Sequence, residues 1–559
     1  MNASTTPLDL LQRHFGFDEF RPGQESVIAQ LLKGHSAAAV FPTGAGKSLC
    51  YQLPALAFDG ITVVVSPLIA LMKDQIDALE SRGIPAARID SSLSHDEWRS
   101  VTRSLREGKL RLLFVAPERF QNERFRDMLR SRKVSLFAID EAHCISEWGH
   151  NFRPDYLKLL RYARALESER LLALTATATP SVLKDIVREF GIAPDGVVRT
   201  GVYRPNLKLL STSVDAATRD EVLLERIQSR PAGATIIYVT RQKTAEDVAA
   251  MLAREGLPAL AYHAGLESDK RSEIQDEFIR SERSIVVATI AFGMGIDKSN
   301  IRYVYHYNLS KSLEAYSQEI GRAGRDGEDS VCESLVCVDD LCALENFAHG
   351  DTPDEEAVVE FARSIAEHES DFSVSTYELS KRFDIRQLVL ETLLTYLQLD
   401  GYLDVKTPVF TRFKFKAFGA FEEIVANFQG EPAEFLTALL GQAKQARTWC
   451  HLEIDEAAAA LGHDRARVVR AMDHIAGRGF IELHNVGLMQ RYAPKRSIEN
   501  LDALASSLSE RVLTRERNEI ERIHEVLDLV RGETCLVRKL CTHFGEDGPL
   551  AGEGGNCGH

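Results

Sequence analysis

The 559-residue sequence has no apolar run approaching the roughly 20 residues that a membrane span needs. Its opening stretch, MNASTTPLDLLQRHFGF, lacks the basic start and apolar core of a signal peptide, so a cytoplasmic location is expected. The nine cysteines are scattered without the spacing of a disulfide framework, which agrees with a reducing compartment. No Gly/Ser-rich or low-complexity linker interrupts the chain. Positive charge is in short supply: the formal net charge is −15. That excludes a globally basic, coating type of nucleic-acid binder and leaves room for a local basic groove. What the chain does have is 44% hydrophobic residues, enough for several buried cores.

Short β-branched runs alternate with helical patterns over residues 36–345: ITVVVSP, LRLLFVAP, VSLFAID, RLLALTAT, ATIIYVT, SIVVAT and IRYVYHY. Apolar strands alternating with helices imply parallel sheets covered on both faces. The number of runs predicts two α/β domains, joined near GVYRPNL (201–207). After about residue 346 such runs nearly vanish. Segments 373–405 and 451–483 share one layout: helix, turn, longer helix, strand. Each resembles a helix-turn-helix followed by a β wing, so tandem winged-helix-like domains are expected. The stretch 508–532 is a long charged helix before a cysteine-containing tail.

The chemistry-bearing residues begin at FPTGAGKS (41–48), directly after the apolar run AAAV. A loop with Gly44, Gly46, Lys47 and Ser48, and with Thr43 at its entrance, can wrap phosphates with backbone N–H groups at a helix start. Lys47 would reach the β/γ-phosphates and Ser48 would bind Mg²⁺. Phe41 stands where a general P-loop has glycine, so the short form PTGxGKS fits better. Asp140 and Glu141 close the strand VSLFAID, as a Walker B pair requires. Asp140 would hold Mg²⁺ through water, and Glu141 would orient and deprotonate the attacking water. In YSQEIGRAGRDG (316–327), Arg322 and Arg325 have helical i,i+3 spacing and could reach the phosphates together as arginine fingers.

Taken in order, these motifs resemble those of RecQ-type superfamily 2 DNA helicases, through residues 8–340. The matching stretches include HFGFDEFRPGQESVI, VVVSPLIALMKDQ, LFVAPERF, IDEAHCISEWGHNFRPDY, LTATAT, YHAGL, ATIAFGMGIDK and QEIGRAGRDG. The resemblance implies RecA-like helicase domains at 1–205 and 206–345. It implies ATP and Mg²⁺ as cofactors and 3′-to-5′ translocation on single-stranded DNA with duplex unwinding, in repair or recombination. Single-stranded and forked DNA would be the partners, with single-strand-binding protein or other repair factors beside them. By the same match Phe17 stacks on the adenine, and Arg21 and Gln24 contact it. Asp297 joins the nucleotide set and Gln318 the catalytic one. Trp148, His150, Phe152 and Arg153 form an aromatic-rich DNA-sensing loop, and His143 links the acid pair toward Gln318. The family usually has Gln at Glu147 and Asp at Asn151. The expectation is that a strand on this loop shifts Glu141, so that DNA licenses hydrolysis.

The remaining ranges are read as winged-helix-like domains at 346–420 and 421–500 and a helical zinc module at 501–559. The tail CLVRKLCTHFGE and GGNCGH resembles the family's zinc-binding tail. Cys535, Cys541, Cys557 and His559 are candidate Zn²⁺ ligands, with His543 as a further one. An end inside such a cluster predicts that the natural protein continues. This domain order resembles the RqlH-like subgroup, whose members carry a phosphoribosyltransferase-like domain further on. In KTPVFTRFKFKAF (406–418), Arg412 and Lys414 alternate with Phe413 and Phe415. That pattern suits phosphate contact and stacking on a wing, and equally a half-buried strand with a solvated face. Cys332, Cys337 and Cys342 read as core thiols. Against the helicase stand two other activities: an ATP-dependent duplex translocase or annealing factor, and an ATP-gated DNA-binding regulator.

Overall fold

In the computed structural model of the chain, the described residues are 6–67, 69–90, 93, 95–146, 153–290, 292, 296, 298–446, 449–532, 534–546 and 557–558. The chain divides into two compact units. One comprises Met1–Phe120, Arg124–Thr352 and Glu510–His559; the other comprises Gln121–Glu123 and Pro353–Ser509.

The first unit holds two parallel sheets. Strands β1 (Ala37–Val40), β2 (Ile61–Val65), β3 (Ala86–Ile89), β4 (Leu112–Val115), β5 (Val134–Ile139), β6 (Leu171–Thr175) and β7 (Val197–Arg199) lie in the order β3-β4-β2-β5-β6-β1-β7. Strands β1, β2, β4 and β5 are buried at every position, as strands covered on both faces must be. The second lobe is built from β8 (Leu207–Ser213), β9 (Ala234–Tyr238), β10 (Ala259–Tyr262), β11 (Ile285–Ala288), β12 (Ile301–His306) and β13 (Ser330–Val336), in the order β10-β11-β9-β12-β13-β8. These are two RecA-like parallel-sheet domains. In the first lobe the loops leaving the carboxyl ends of β1 and β5 carry the glycine and acidic motifs, where open α/β sheets bind ligands, and in the second the arginine motif lies in the turns between helix Leu313–Ile320 and β13.

The second unit contains one antiparallel sheet: β14 (Phe372–Val374), β15 (Leu403–Ala417), β16 (Lys444–Gln445), β17 (Cys450–Glu453) and β18 (Ile481–Pro494), ordered β14-β18-β15-β17-β16. Both repeats seen in the sequence have the expected order. Helices Thr376–Phe383 and Gln387–Leu399 precede β15, and helices Ile454–Leu461 and Arg465–Gly477 precede β18. Their strands, however, are shared. The long β15 and β18 pair with each other from Leu403↔Pro494 to Ala417↔Ile481. The leading strands are exchanged: β14 pairs with β18 (Phe372↔Tyr492) and β17 with β15 (Leu452↔Phe413).

The C-terminal segment departs from the expectation of a separate module. Helix Leu501–Arg531 is followed by helix Leu536–His543 and, after it, by β19 (Cys557–Gly558), which joins the second sheet beside β8. Ile523, Val526, Leu529, Leu536, Leu540, Cys541 and Phe544 share one core with Leu207, Leu209 and Cys332. Burying those apolar groups builds the tail into the second lobe. Cys332 and Cys337 are buried as expected, whereas Cys342 is exposed. Among the described residues no helix is long and apolar enough to cross a membrane.

Candidate functional site

The phosphate loop leaves β1 and enters the helix Leu49–Ala57. Gly44 and Gly46 have φ of +83° and +77°, a region that side chains strongly disfavour. A side chain there would also have to displace its neighbours. A Cβ on Gly46 would lie 2.6 Å from Gln24 Nε2, and one on Gly44 3.1 Å from Arg325 Cγ. The loop is held from its own lobe by two residues of the N-terminal motif. Arg21 Nη1 donates to Gly44 O (2.6 Å), and Gln24 Nε2 donates to Gly46 O (2.9 Å) and Ala45 O (3.3 Å). Phe17 stands 52% exposed. Arg21 and Gln24 therefore brace the loop carbonyls, a role that the sequence reading had not given them.

Lys47 is half-buried and donates to Phe41 O at 3.3 Å. Burial pulls its pKa down, and Glu141 and Asp140 pull it back up. Asp140 follows β5, with its N–H on Val65 O (2.8 Å) and its Oδ1 accepting from Glu141 N (3.0 Å). Burial first, and the Glu141 charge second, push the Asp140 carboxyl well above the usual carboxylate range. Glu141 occupies the left-handed region (φ 51°, ψ 45°), rare for a non-glycine residue. Holding it there costs about 1–3 kcal/mol, offset by the surrounding fold. A glycine cradle, a lysine, the Ser48 hydroxyl and a half-buried acid pair form a donor set that fits Mg²⁺–nucleotide.

Beside Glu141 a polar path runs from His143 into the second lobe. Glu141 Oε2 lies 3.3 Å from His143 Nδ1, which lies 3.0 Å from Thr175 Oγ1. Thr177 N donates to Thr175 Oγ1 (3.2 Å), and Gln318 Nε2 donates to Thr177 Oγ1 (3.1 Å). His143 is fully buried and its pKa is pushed down to about 3 by desolvation, so its ring is neutral at pH 7. The link from His143 to Gln318 is thus made through Thr175 and Thr177. Both lie in LTATAT (174–179), a motif that had been quoted for the resemblance alone.

The two arginines do not share a helix face. Helix Leu313–Ile320 ends at Gly321, and successive turns follow through Gly324 (φ 56°) and Gly327 (φ 89°). Glycine breaks the 3.6-residue period, so the i,i+3 argument fails here. Arg325 lays its side chain against Gly44 of the phosphate loop and donates from Nη1 to Ile296 O (3.0 Å). Arg322 is buried and lies by the Tyr238 hydroxyl of its own lobe.

Arg153 is anchored by its N–H to Cys144 O (3.2 Å), and Tyr156 OH donates to Asp140 O (3.1 Å). The far end of the aromatic-rich loop is therefore tied to the acid pair. Trp148, His150 and Phe152 lie outside the described residues, as do Asp297 and His559. Cys144 is a buried thiol whose pKa burial drives up, consistent with packing.

In the second unit, Phe413 and Phe415 are 2% and 0% exposed and belong to the core with Leu439, Val468 and Met472. They are packing residues and not stacking platforms. Arg412 and Lys414 take the opposite face, Arg412 paired with Glu453 and Lys414 Nζ 4.6 Å from the centre of the Trp449 ring.

The zinc reading is not supported. Among the described residues no group of three or more His, Cys, Asp or Glu side chains gathers to hold a metal. Cys541 is buried in the second-lobe core, which raises its pKa to about 11. His543 is engaged with Glu314 at 3.1 Å. Cys535 packs against that same core, and the Cys557 side chain is outside the described set. Core packing of the helix Leu536–His543 accounts for Cys541, and Cys535 lies against the same core.

Comparison with known proteins places this geometry. Residues 21–186 match a family model described as DEAD/DEAH box helicase, and residues 218–327 match one described as helicase conserved C-terminal domain. The ATP-dependent DNA helicase RecQ of Bacillus subtilis (strain 168) is 45% identical over 334 residues, 59% of this chain and 56% of that protein. The probable ATP-dependent DNA helicase RecS of the same organism is 39% identical over 362 residues, 64% of this chain and 72% of that protein. The chain spans about half the length of the first curated relatives it matches, at 56%, 44% and 50%. A solved structure of Mss116p bound to ssRNA and AMP-PNP shares the fold, with a TM-score of 0.51 at 17% identity over 71% of this chain and 89% of that one. On these grounds the chain belongs to the RecQ family of superfamily 2 DNA helicases.

Proposed function

We propose that the chain is an ATP-driven DNA helicase that tracks 3′ to 5′ along a single strand and separates the duplex ahead of it. The observation that carries this reading is the path His143–Thr175–Thr177–Gln318, which brings the opposite lobe beside the hydrolytic acid Glu141. A bond that exists only when the lobes approach makes hydrolysis depend on closure, and closure moves two strand-binding surfaces along a backbone. Within the site, Lys47 and the N–H groups of residues 44–48 take the phosphates. Phe17 takes the base. Ser48 and Asp140 would hold Mg²⁺, which would supply the positive charge that phosphoryl transfer needs. Glu141 accepts a proton from the attacking water, and Arg325 approaches the transferred phosphoryl group from across the cleft, with Arg322 behind it.

The aromatic-rich loop, through Trp148, His150, Phe152 and Arg153, reports strand contact to the acid pair. The paired helix-turn-helix repeats act as winged-helix-like duplex contacts, with Arg412 and Lys414 on their solvent face. Strand displacement on 3′-tailed, 5′-tailed and forked duplexes tests the proposal, with Lys47→Ala as control. The 3′-tailed and forked substrates should open and the 5′-tailed one should not. Hydrolysis stimulated by single strands without displacement would leave the translocase or annealing activity in its place.

A further inference from the structure

The seven residues Thr200–Asn206 join β7 of the first lobe to β8 of the second, so every change in lobe orientation must pass through their backbone. The C-terminal tail closes on this hinge from a distant part of the chain. Helix Leu536–His543 is rooted in the second lobe twice over. Leu536, Val537, Leu540 and Phe544 lie in its core, and His543 Nε2 is 3.1 Å from Oε1 of the buried Glu314. Glu314 sits one helical turn before Gln318 on the same helix.

The turn after that helix reaches the other way. Phe544 O accepts from the Arg199 guanidinium at the end of β7. Gly545 (φ 75°) passes so close to helix Pro180–Phe190 of the first lobe that a Cβ on it would lie 2.8 Å from Pro180 Cγ. Glu546 then turns its carboxylate onto the hinge itself, where Oε1 accepts from Val202 N at 2.7 Å and Tyr203 N is a second donor. Gly201 (φ 85°) leaves room for that carboxylate, since a Cβ there would stand 3.3 Å from Oε2.

We propose that the segment Cys535–Glu546 is a clasp that sets the relative setting of the two motor lobes, with Glu546 as a positioning residue for ATP hydrolysis. One carboxylate fixing two successive hinge N–H groups restricts the backbone that lobe motion must bend. The same helix holds the stem of Gln318, so the hinge setting and the cross-lobe bond to Thr177 are anchored to one element. The contacts of the clasp fall on the hinge, on Arg199 and Pro180 of the first lobe and on the second-lobe core, so it acts on closure rather than on nucleotide capture.

The positioning role rests on the helicase reading; the clasp contact itself does not. The test uses the full chain with Glu546→Ala and Glu546→Gln, and two measurements. Hydrogen–deuterium exchange should quicken at the amides of Val202 and Tyr203 in Glu546→Ala, while amides of β5 and β9 keep their protection and so certify the fold. Single-strand-stimulated ATP hydrolysis should lose about tenfold in kcat with the KM for ATP within about twofold, the split expected when transition-state geometry alone is lost. Glu546→Gln, which keeps an acceptor oxygen, should recover part of both. Unchanged exchange at the hinge overturns the clasp. Faster exchange with unchanged kcat overturns the positioning role. A wild-type chain without DNA-stimulated hydrolysis would remove the helicase reading and the positioning role with it, and the exchange arm would still decide the clasp.

Discussion

Glu141 is set in a backbone conformation that would suit glycine, one residue after a carboxyl that burial keeps partly protonated. Two measurable consequences follow at this scale. Glu141→Gln keeps the side-chain shape and removes the proton acceptor. DNA-stimulated hydrolysis should fall by about 10²–10⁴-fold, the usual worth of a general base, while nucleotide binding, followed by fluorescent-analogue titration, changes little. The second consequence concerns pH. Because the folded chain raises the Asp140 pKa above its unfolded value of 3.8, the folded state holds this proton more tightly. The group is neutral to stability below that value and destabilises progressively as pH rises above it toward the folded pKa. Asp140→Asn should therefore stabilise the chain at pH 8, on the order of 1–2 kcal/mol without Mg²⁺ or nucleotide, and the gain should fade toward pH 4. Thermal unfolding across pH measures this.

At the scale of elements, the ribbon of β15 and β18 separates two kinds of residue on one strand. Phe415 is fully buried beside Phe421, whereas Lys414 stacks over Trp449 at the surface. Phe415→Ala should cost about 3–5 kcal/mol in denaturant unfolding of this unit. Lys414→Ala should cost no more than about 1 kcal/mol, the worth of an exposed cation–π contact. The contrast also shows what could be seen in the sequence. Runs such as VSLFAID and ATIIYVT announced buried parallel strands because such strands carry no polar face, and β5 and β9 lie there. The repeats were visible because helix and strand periods are local. Which strand pairs with which is not local, and no period in 373–405 tells β14 to seek β18. The tail failed for a related reason. Leu536, Val537, Leu540, Cys541 and Phe544 mark one helical face, but the cysteines drew the eye to a metal, and only packing against Leu207 and Leu209 reveals the face as core. Arg322 and Arg325 were found, yet the glycines around them removed the helix on which their common direction was argued.

Across the whole first unit, the nucleotide site was the most legible part, because phosphate chemistry demands fixed residue types at fixed spacing. The bond that joins its halves was not, because Thr177 and Gln318 are far apart in sequence. Gln318→Ala should cut single-strand-stimulated kcat about tenfold, the worth of one well-placed hydrogen bond of about 1.4 kcal/mol, and leave nucleotide affinity within about twofold. A stopped-flow assay that separates binding from hydrolysis reads both numbers.

The strand exchange in the second unit bears on how the chain comes off the ribosome. Val374 waits for Gln490, and Phe413 for Leu452 and Asn485. Domains made at about 5–20 residues per second normally fold as they emerge. Here the first repeat leaves the exit tunnel with its sheet edges open, and β14 stays unpaired until the last strand of the second repeat is synthesised. Neither repeat can finish alone, so a ribosome stalled between them would hold a nascent chain with two bare edges, a substrate for chaperones and proteases rather than a half-built motor accessory.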